Sequence, residues 1–560
     1  VTEIFKQFTD GRRFKQSMAP KSQYLLADEC SAFYNGDQWR GVPVKDTNPT
    51  PVLNVERTIV NRKVAEIRPY SVSARYRIDS LPENHPAAEY VSTAQDVLNG
   101  IAKAKWNALN MATFSLKACT QAAVEGMAVA YTYWDSGYES FSADALEKIR
   151  GDFVTELIPA VNIYLGAPNV SDIQTQPYII IAIRKTVSEI KAIAKANGKN
   201  EQTLKRIVPD SLYETQVGDN RWLEPSGKND EEGRAMILYR FHKKDGTVYC
   251  SCSTMEVDIF KDRDLRLSRY PISTFLWCEM GSLGYGIPEC WDIHKNQIAI
   301  NRAMGSCIKN LLLTGSPKLL YDNTMIHGWT NQIGGTQAVN GNTSTAARFV
   351  DPPRMGSESI AIVEYLYKTT MEMKGVSDAL MGTSTSNSAK ALALVQAQAS
   401  QFLKLEQEKF YQFIKDIFST WLDFFKNHYD VDRVVRIPNS MGEEQFVTVN
   451  GNLFADMPIS VSIDVGTGGE WSEMSMVESI LEMITAGHLD PLTGFEMLPS
   501  SYFANKQKTL ETLRRNQAAA LQMQGKMGNS SGPSDAASLV GAASVAPPGA
   551  DASSVPVPQV

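Results

Sequence analysis

From Ser388 to Arg436 the chain contains neither Gly nor Pro. Val395, Ala399, Phe402, Phe410, Phe413, Ile414, Ile417, Trp421, Phe424 and Phe425 recur there at steps of three, four or seven, with one gap, the period of a helix with one apolar face. A hydroxyl accepts from free backbone N–H groups, so Ser386 and Ser388 are suited to cap its start. A helix from Ser388 to about His428 is expected to be roughly 60 Å long at 1.5 Å per residue. That exceeds an ordinary domain core. A helical segment stops at Gly375, and a loop rich in Ser, Thr and Asn crosses to Ser388. A long helix behind a polar loop and shorter helices suits a scaffold that crosses a large assembly.

Composition narrows the class. The 560 residues, 43% hydrophobic and 21% charged, leave room for a large core and several subdomains. A net charge of −7 argues against a general nucleic-acid binder, which carries a basic field. It is compatible with a protein that surrounds DNA and lets it pass. No run reaches the roughly 18 apolar residues needed to span a bilayer. The start has Lys6, Arg12, Arg13 and Lys15 without an apolar stretch, which is not the pattern of a signal peptide. The cysteines at 30, 119, 250, 252, 278, 290 and 307 are scattered and odd in number, as suits a reducing compartment. Cys250 and Cys252 are one residue apart, too close for a usual zinc knuckle, and are expected on one face of a strand.

Periodicity and turn residues predict an α+β chain. Residues 1–37 read as helical with breaks near Gly11 and Pro20, and Val52–Arg68 as a helix before Pro69. Ser71–Ile78 alternates as a strand. Helices are expected over Pro86–Ala104, Asn107–Gly126 and Thr186–Asn197, and strands over Val129–Trp134, Phe153–Ile158 and Tyr178–Arg184. Pro209–Gly233 is polar and reads as an exposed loop. Asp245-Gly246 predicts a hairpin, since both residues tolerate positive φ. Pro288 is placed to open a helix running to Leu313. Thr314–Gly356 is irregular apart from a short strand at 318–321. Helix returns over Ser357–Lys374, strands over Gln445–Val449 and Ile459–Val465, and broken helix over Ser472–Arg515. From Gly525 onward small residues dominate, the composition of a disordered tail.

Catalytic patterns are missing from the sequence. Gly227-Lys228 lacks the first Gly of a phosphate loop, Gly466–Gly469 has no Lys, and Gly281, Gly284 and Gly286 reverse the dinucleotide fingerprint. The histidines show no HExxH spacing, and no Gly-x-Ser-x-Gly elbow exists. His294 reads as a packed or interface residue, and Asp262/Asp264 and Asp430/Asp432 as exposed acidic pairs. No enzyme, metal or cofactor is expected.

The order of segments resembles the portal (head-to-tail connector) proteins of tailed bacteriophages, closest to the short-tailed type. Phe33-Tyr34-Asn35-Gly36-Asp37-Gln38-Trp39 is similar to that family's aromatic-Gly-x-Gln-Trp box, and Asn54–Pro69 to the helix after it. Tyr285–Glu289 to Asn301–Ser306 resembles the first stem helix. Gly375–Leu392 resembles the tunnel-loop passage, best at Gly382 and Ser388–Leu392. Tyr164-Leu165-Gly166-Ala167-Pro168 departs from the Asp-Pro of many relatives.

The resemblance implies a closed ring of about twelve copies at one capsid vertex, assembled in the host cytoplasm. It implies an N-terminal α+β wing (1–286), stem helix 1 (287–313), a clip (314–356), stem helix 2 (357–375) and a tunnel loop (376–388). The long helix (389–433), a β return to the wing (434–470), crown helices (471–525) and the tail (526–560) follow. Implied partners are terminase, a tail adaptor, the major capsid protein and scaffold, and double-stranded DNA passing without sequence reading during packaging and ejection. Another ring-forming head–tail adaptor is the alternative, though adaptors are usually far shorter; a DNA-processing enzyme is disfavoured by the missing motifs.

Within that map three residue sets stand out. Thr383, Ser384, Thr385, Ser386, Asn387 and Lys390 offer hydroxyls, an amide and a cation for DNA at the narrowest point. Lys390 would oppose its helix dipole, at about 0.3–1 kcal/mol, so helix stability does not explain it. Lys295, Arg302 and Lys309 are spaced by seven and form one column. It faces either the channel or acidic residues (Glu358, Glu364, Glu372) of the neighbouring stem helix. Tyr321, Ile326, Trp329 and Phe349 lie amid the polar turns of the clip, which suits a surface that orders on a partner.

Overall fold

The computed structural model describes residues 2–19, 21–45, 48–68, 72–78, 91–141, 148–209, 233–315, 319–328, 336–349, 358–376, 400–430, 433–438, 444–451, 454 and 457–465. It also describes single or short stretches between 477 and 515. Contacts divide the chain into residues 1–469 and 470–560.

In the first unit, α1 (Glu3–Ser17), α2 (Gln23–Asn35) and α3 (Val55–Ile67) precede β1 (Val72–Ile78), α4 (Val91–Ala108) and α5 (Met111–Glu125). Strands β2 (Met127–Phe141), β3 (Lys148–Ile158), β4 (Ile163–Leu165) and β5 (Ile179–Thr186) follow, then α6 (Val187–Ala196) and α7 (Glu201–Lys205). Next come β6 (Arg234–Lys244), β7 (Thr247–Ser253), β8 (Asp258–Asp264) and β9 (Ile272–Leu276). The remainder is α8 (His294–Gly315), β10 (Leu319–Tyr321), α9 (Thr343–Ala346), β11 (Ala347–Phe349), α10 (Glu358–Met373), α11 (Lys404–His428), β12 (Arg433–Pro438), β13 (Glu444–Val449) and β14 (Ile459–Val465). The fold class is α+β.

Side-chain chemistry sets several of these boundaries. Asn54 accepts from Arg57 N to cap α3, and Thr186 and Glu189 form a reciprocal capping box on α6. Gly36, at φ 96°, ends α2 in the left-handed region. Asp245 and Gly246, at φ 52° and 81°, make the tight β6–β7 turn. The sheets are antiparallel, in the orders β3-β2-β9 and β4-β5-β6-β7-β8, with separate pairs β1–β14, β10–β11 and β12–β13.

The largest core lies between the three-stranded sheet and α11. Phe410 and Phe413 pack on Phe275 of β9, and Phe153 of β3 sits among Trp421, Phe424, Phe425 and Tyr429. Burial of such rings stabilises by roughly 1.5–3 kcal/mol each. Their hydrophilic atoms are matched: Trp421 Nε1 donates to Thr155 Oγ1 at 2.9 Å, and Asp423 accepts from Ser268 N, Ser268 Oγ and Arg269 N.

Some expectations change. Gly11 does not break α1; the helix continues through it, and a Cβ there would stand 3.2 Å from Tyr164. A small residue lets the helix lie close to that ring. Pro288 does not open the stem helix, because a 3-10 turn at Trp291–Ile293 intervenes and α8 starts at His294. Of the expected long helix, the described residues comprise a 3-10 turn at Ser400–Leu403 and the 25 residues of α11, about 37 Å. Its expected start, residues 388–399, lies outside the described residues, as do 210–232 and the tail. Strand β13 pairs with β12, and β14 returns to β1. Strands β4, β8 and β11 were not expected. In the second unit Val477, Ile480 and Leu498 are buried together, with helical backbone at 480–485.

Candidate functional site: the stem hairpin and its root

The root begins where β9 ends. Cys278 and Ile287 form an isolated bridge that closes the glycine turn. Gly286 then meets Gly126 at the end of α5, so closely that a Cβ on Gly286 would lie 2.1 Å from the Gly126 carbonyl. Glu289 follows at once and is buried. Its Oε1 accepts from Lys63 Nζ at 2.6 Å, and its Oε2 from Trp277 Nε1 at 2.6 Å. Lys374, just past α10, lies 3.3 Å from Glu289 Oε1 and 2.7 Å from Asp292, and donates to the Glu289 carbonyl at 2.7 Å. Burial alone would lower the Lys374 pKa, but Glu289 and Asp292 outweigh it and hold the amine above its ordinary value. One carboxylate thus ties α3, β9 and both ends of the stem hairpin together.

On α8 the buried face is polar. Gln297 accepts from Val55 N at 2.9 Å and donates to Leu53 O at 2.6 Å. Asn301 accepts from Leu53 N and donates to Gln38 Oε1 at 2.7 Å. Gln38 in turn donates to Phe33 O, and Trp39 Nε1 to Pro51 O. Residues 33–39 therefore form a strap that clamps α8. His294 is packed as expected, stacked on Phe33 with centroids 4.2 Å apart. Its Nε2 lies 3.5 Å from Glu56 Oε2, long for a hydrogen bond. Burial pushes Glu56 up to about 9 and His294 down to about 4. At neutral pH these two face each other uncharged, and we read the contact as a neutral pair.

The three column residues occupy unequal surroundings. Lys309 is half-buried and donates to Asn48 Oδ1 at 2.6 Å. Lys295 and Arg302 are exposed, and among the described residues neither has an ion-pair partner. Of the clip set, Ile326 is buried and Tyr321 exposed. Phe349 lies opposite Leu319 in the β10–β11 register. Trp329 and residues 383–390 lie outside the described residues. Leu311, Leu312 and Leu313 of α8 and Ile360, Ile362 and Tyr365 of α10 are exposed, Leu311 at 72% and Tyr365 at 69%.

Glu289, Lys63, Lys374 and Gln297 escaped the sequence reading. The Glu after Pro288 was quoted only as part of a motif, and nothing local marks it as a hub.

Residues 306–519 match the family model described as the phage SU10 portal protein. The matched segment is similar to a phage portal family. It begins inside α8 and runs through β10, β11, α10, α11 and β12–β14 to residue 519, consistent with an SU10-like, short-tailed type. It supports a phage portal role, and that family is structural, not enzymatic. No curated protein matches the chain. Among the described residues no three His, Cys, Asp or Glu side chains gather as metal ligands would. Asp262 instead accepts from Ser251 Oγ and Asp264 from Arg266 N. No helix among them is long and apolar enough to cross a membrane.

Proposed function

We propose that this chain is the subunit of a portal ring at one capsid vertex, the conduit through which the genome is packaged and ejected. The observation that carries this reading is the exposed apolar surface of the stem hairpin, within or beside the matched segment. A monomer gains nothing by leaving Leu311–Leu313, Ile360, Ile362 and Tyr365 in water, whereas a neighbouring copy would cover them. The wing (1–286 with 434–470) meets the capsid shell, the clip (314–356) receives terminase and then the tail adaptor, and the crown (471–525) faces the packaged DNA. The tunnel loop, with Thr383–Asn387 and Lys390, touches DNA through its backbone phosphates without reading sequence. A net charge of −7 keeps the grip weak, because each added phosphate contact would raise affinity. Light scattering and negative stain test the ring. Rings are expected, and a mass of one 61.9 kDa chain at every salt concentration would overturn the reading.

A further inference from the structure

The stem hairpin has a built-in register. Asn296 Nδ2 lies 3.4 Å from Thr370 Oγ1, and Lys374 Nζ lies 2.7 Å from Asp292 Oδ1. Because α8 and α10 run antiparallel with the same rise per residue, these contacts set Arg302 level with Glu364. They set Lys295 within one residue of the level of Glu372. All four side chains are exposed, and among the described residues none has an ion-pair partner. Basic and acidic groups at matching heights thus stay unpaired among the described residues, with the basic pair on one helix and the acidic pair on the other.

Resting on the ring reading above, we infer that α8 of one copy docks on α10 of the next, with Arg302 paired to Glu364 and Lys295 to Glu372 across each subunit boundary. Rotation about a ring axis moves a residue sideways without changing its height. With the hairpin along that axis, groups level within one copy are therefore level between neighbours. The contact is heterologous, basic face to acidic face, which closes into a ring and cannot form a face-to-face dimer on the same charges. Ile360, Ile362 and Tyr365 of α10 are exposed close to the level of the Arg302–Glu364 rung, and the exposed leucines of α8 lie further toward the clip. Charge sets direction and register there, and Ile360, Ile362 and Tyr365 add contact area. Lys309, held by Asn48, takes no part.

Two complementary variants test the pairing in the full chain. K295E/R302E makes both faces acidic, and E364K/E372K makes both basic. Each alone is expected to stay monomeric at concentrations about tenfold or more above those at which the unmodified chain assembles, with unchanged circular dichroism because the residues are exposed. An equimolar mixture is expected to assemble, since every boundary between unlike copies again joins opposite charges. If the unmodified chain forms rings and K295E/R302E does so equally well, the pairing is wrong and those cations face elsewhere. Two monomeric variants that fail to assemble when mixed also overturn it. An unmodified chain that never assembles sinks the ring reading itself.

Discussion

Replacing Glu289 with Gln should loosen the root of the stem more than any other single change there. Lys63 and Glu289 are 6% and 3% exposed, and among the described residues Lys63 has no other partner. The substitution leaves an ammonium buried without its counter-charge, at about 3–5 kcal/mol. The new amide also presents a donor to either Lys63 or Trp277, both donors themselves. Lys374 suffers less, since Asp292 and the Glu289 carbonyl remain, each at 2.7 Å. Hydrogen exchange of the amides of residues 289–301 reads the local opening. At about tenfold per 1.4 kcal/mol, E289Q should speed it by roughly two to three and a half orders of magnitude. K63M/E289Q, which removes the stranded cation, should recover at least about tenfold of that loss. Exchange in E289Q within about threefold of the unmodified chain would refute the hub. So would a double variant as loose as the single one.

Two further outcomes follow from the same region. Glu56 has a folded pKa raised to about 9 against an ordinary value near 4.3. Between these values the folded chain holds a proton that the unfolded chain has lost, so stability falls as pH rises. E56Q lacks that penalty: its unfolding free energy from urea titration, relative to the unmodified chain, should rise from pH 5 to pH 8, by at most about 1.4 kcal/mol per pH unit, and a constant difference would contradict it. Gly126→Ala would place a Cβ 2.5 Å from the Gly286 carbonyl at φ +88°, so thermal unfolding should show a loss of about 1–3 kcal/mol, whereas an unchanged midpoint would show that the turn can shift.

Where structure is local, the sequence was legible. The Asp245-Gly246 turn and the apolar period of α11 act within a few residues, and each lies where expected. Partners separated by hundreds of positions were not. Nothing near Ile459–Val465 says that it pairs with Val72–Ile78, and nothing near Glu289 says that Lys63 and Lys374 converge on it. Gly11 misled for a related reason, since its meaning depends on Tyr164 in another element. The portal resemblance came from the order of weak motifs, and one of them, the box at residues 33–39, has a physical task in clamping α8.

The packing of α11 also has a consequence in time. Phe153 and Phe275 lie under Phe410, Phe413, Trp421 and Phe425, yet the ribosome makes the two groups far apart. At roughly 5–20 residues per second, the interval between Leu276 and Phe425 leaving the peptidyl-transferase centre is roughly 7–30 s. Throughout it the N-terminal sheet is a nascent surface with its aromatic floor uncovered and β1 without β14. Helices α8 and α10 are synthesised during that wait, so the surfaces proposed to meet other copies emerge before their own subunit can close.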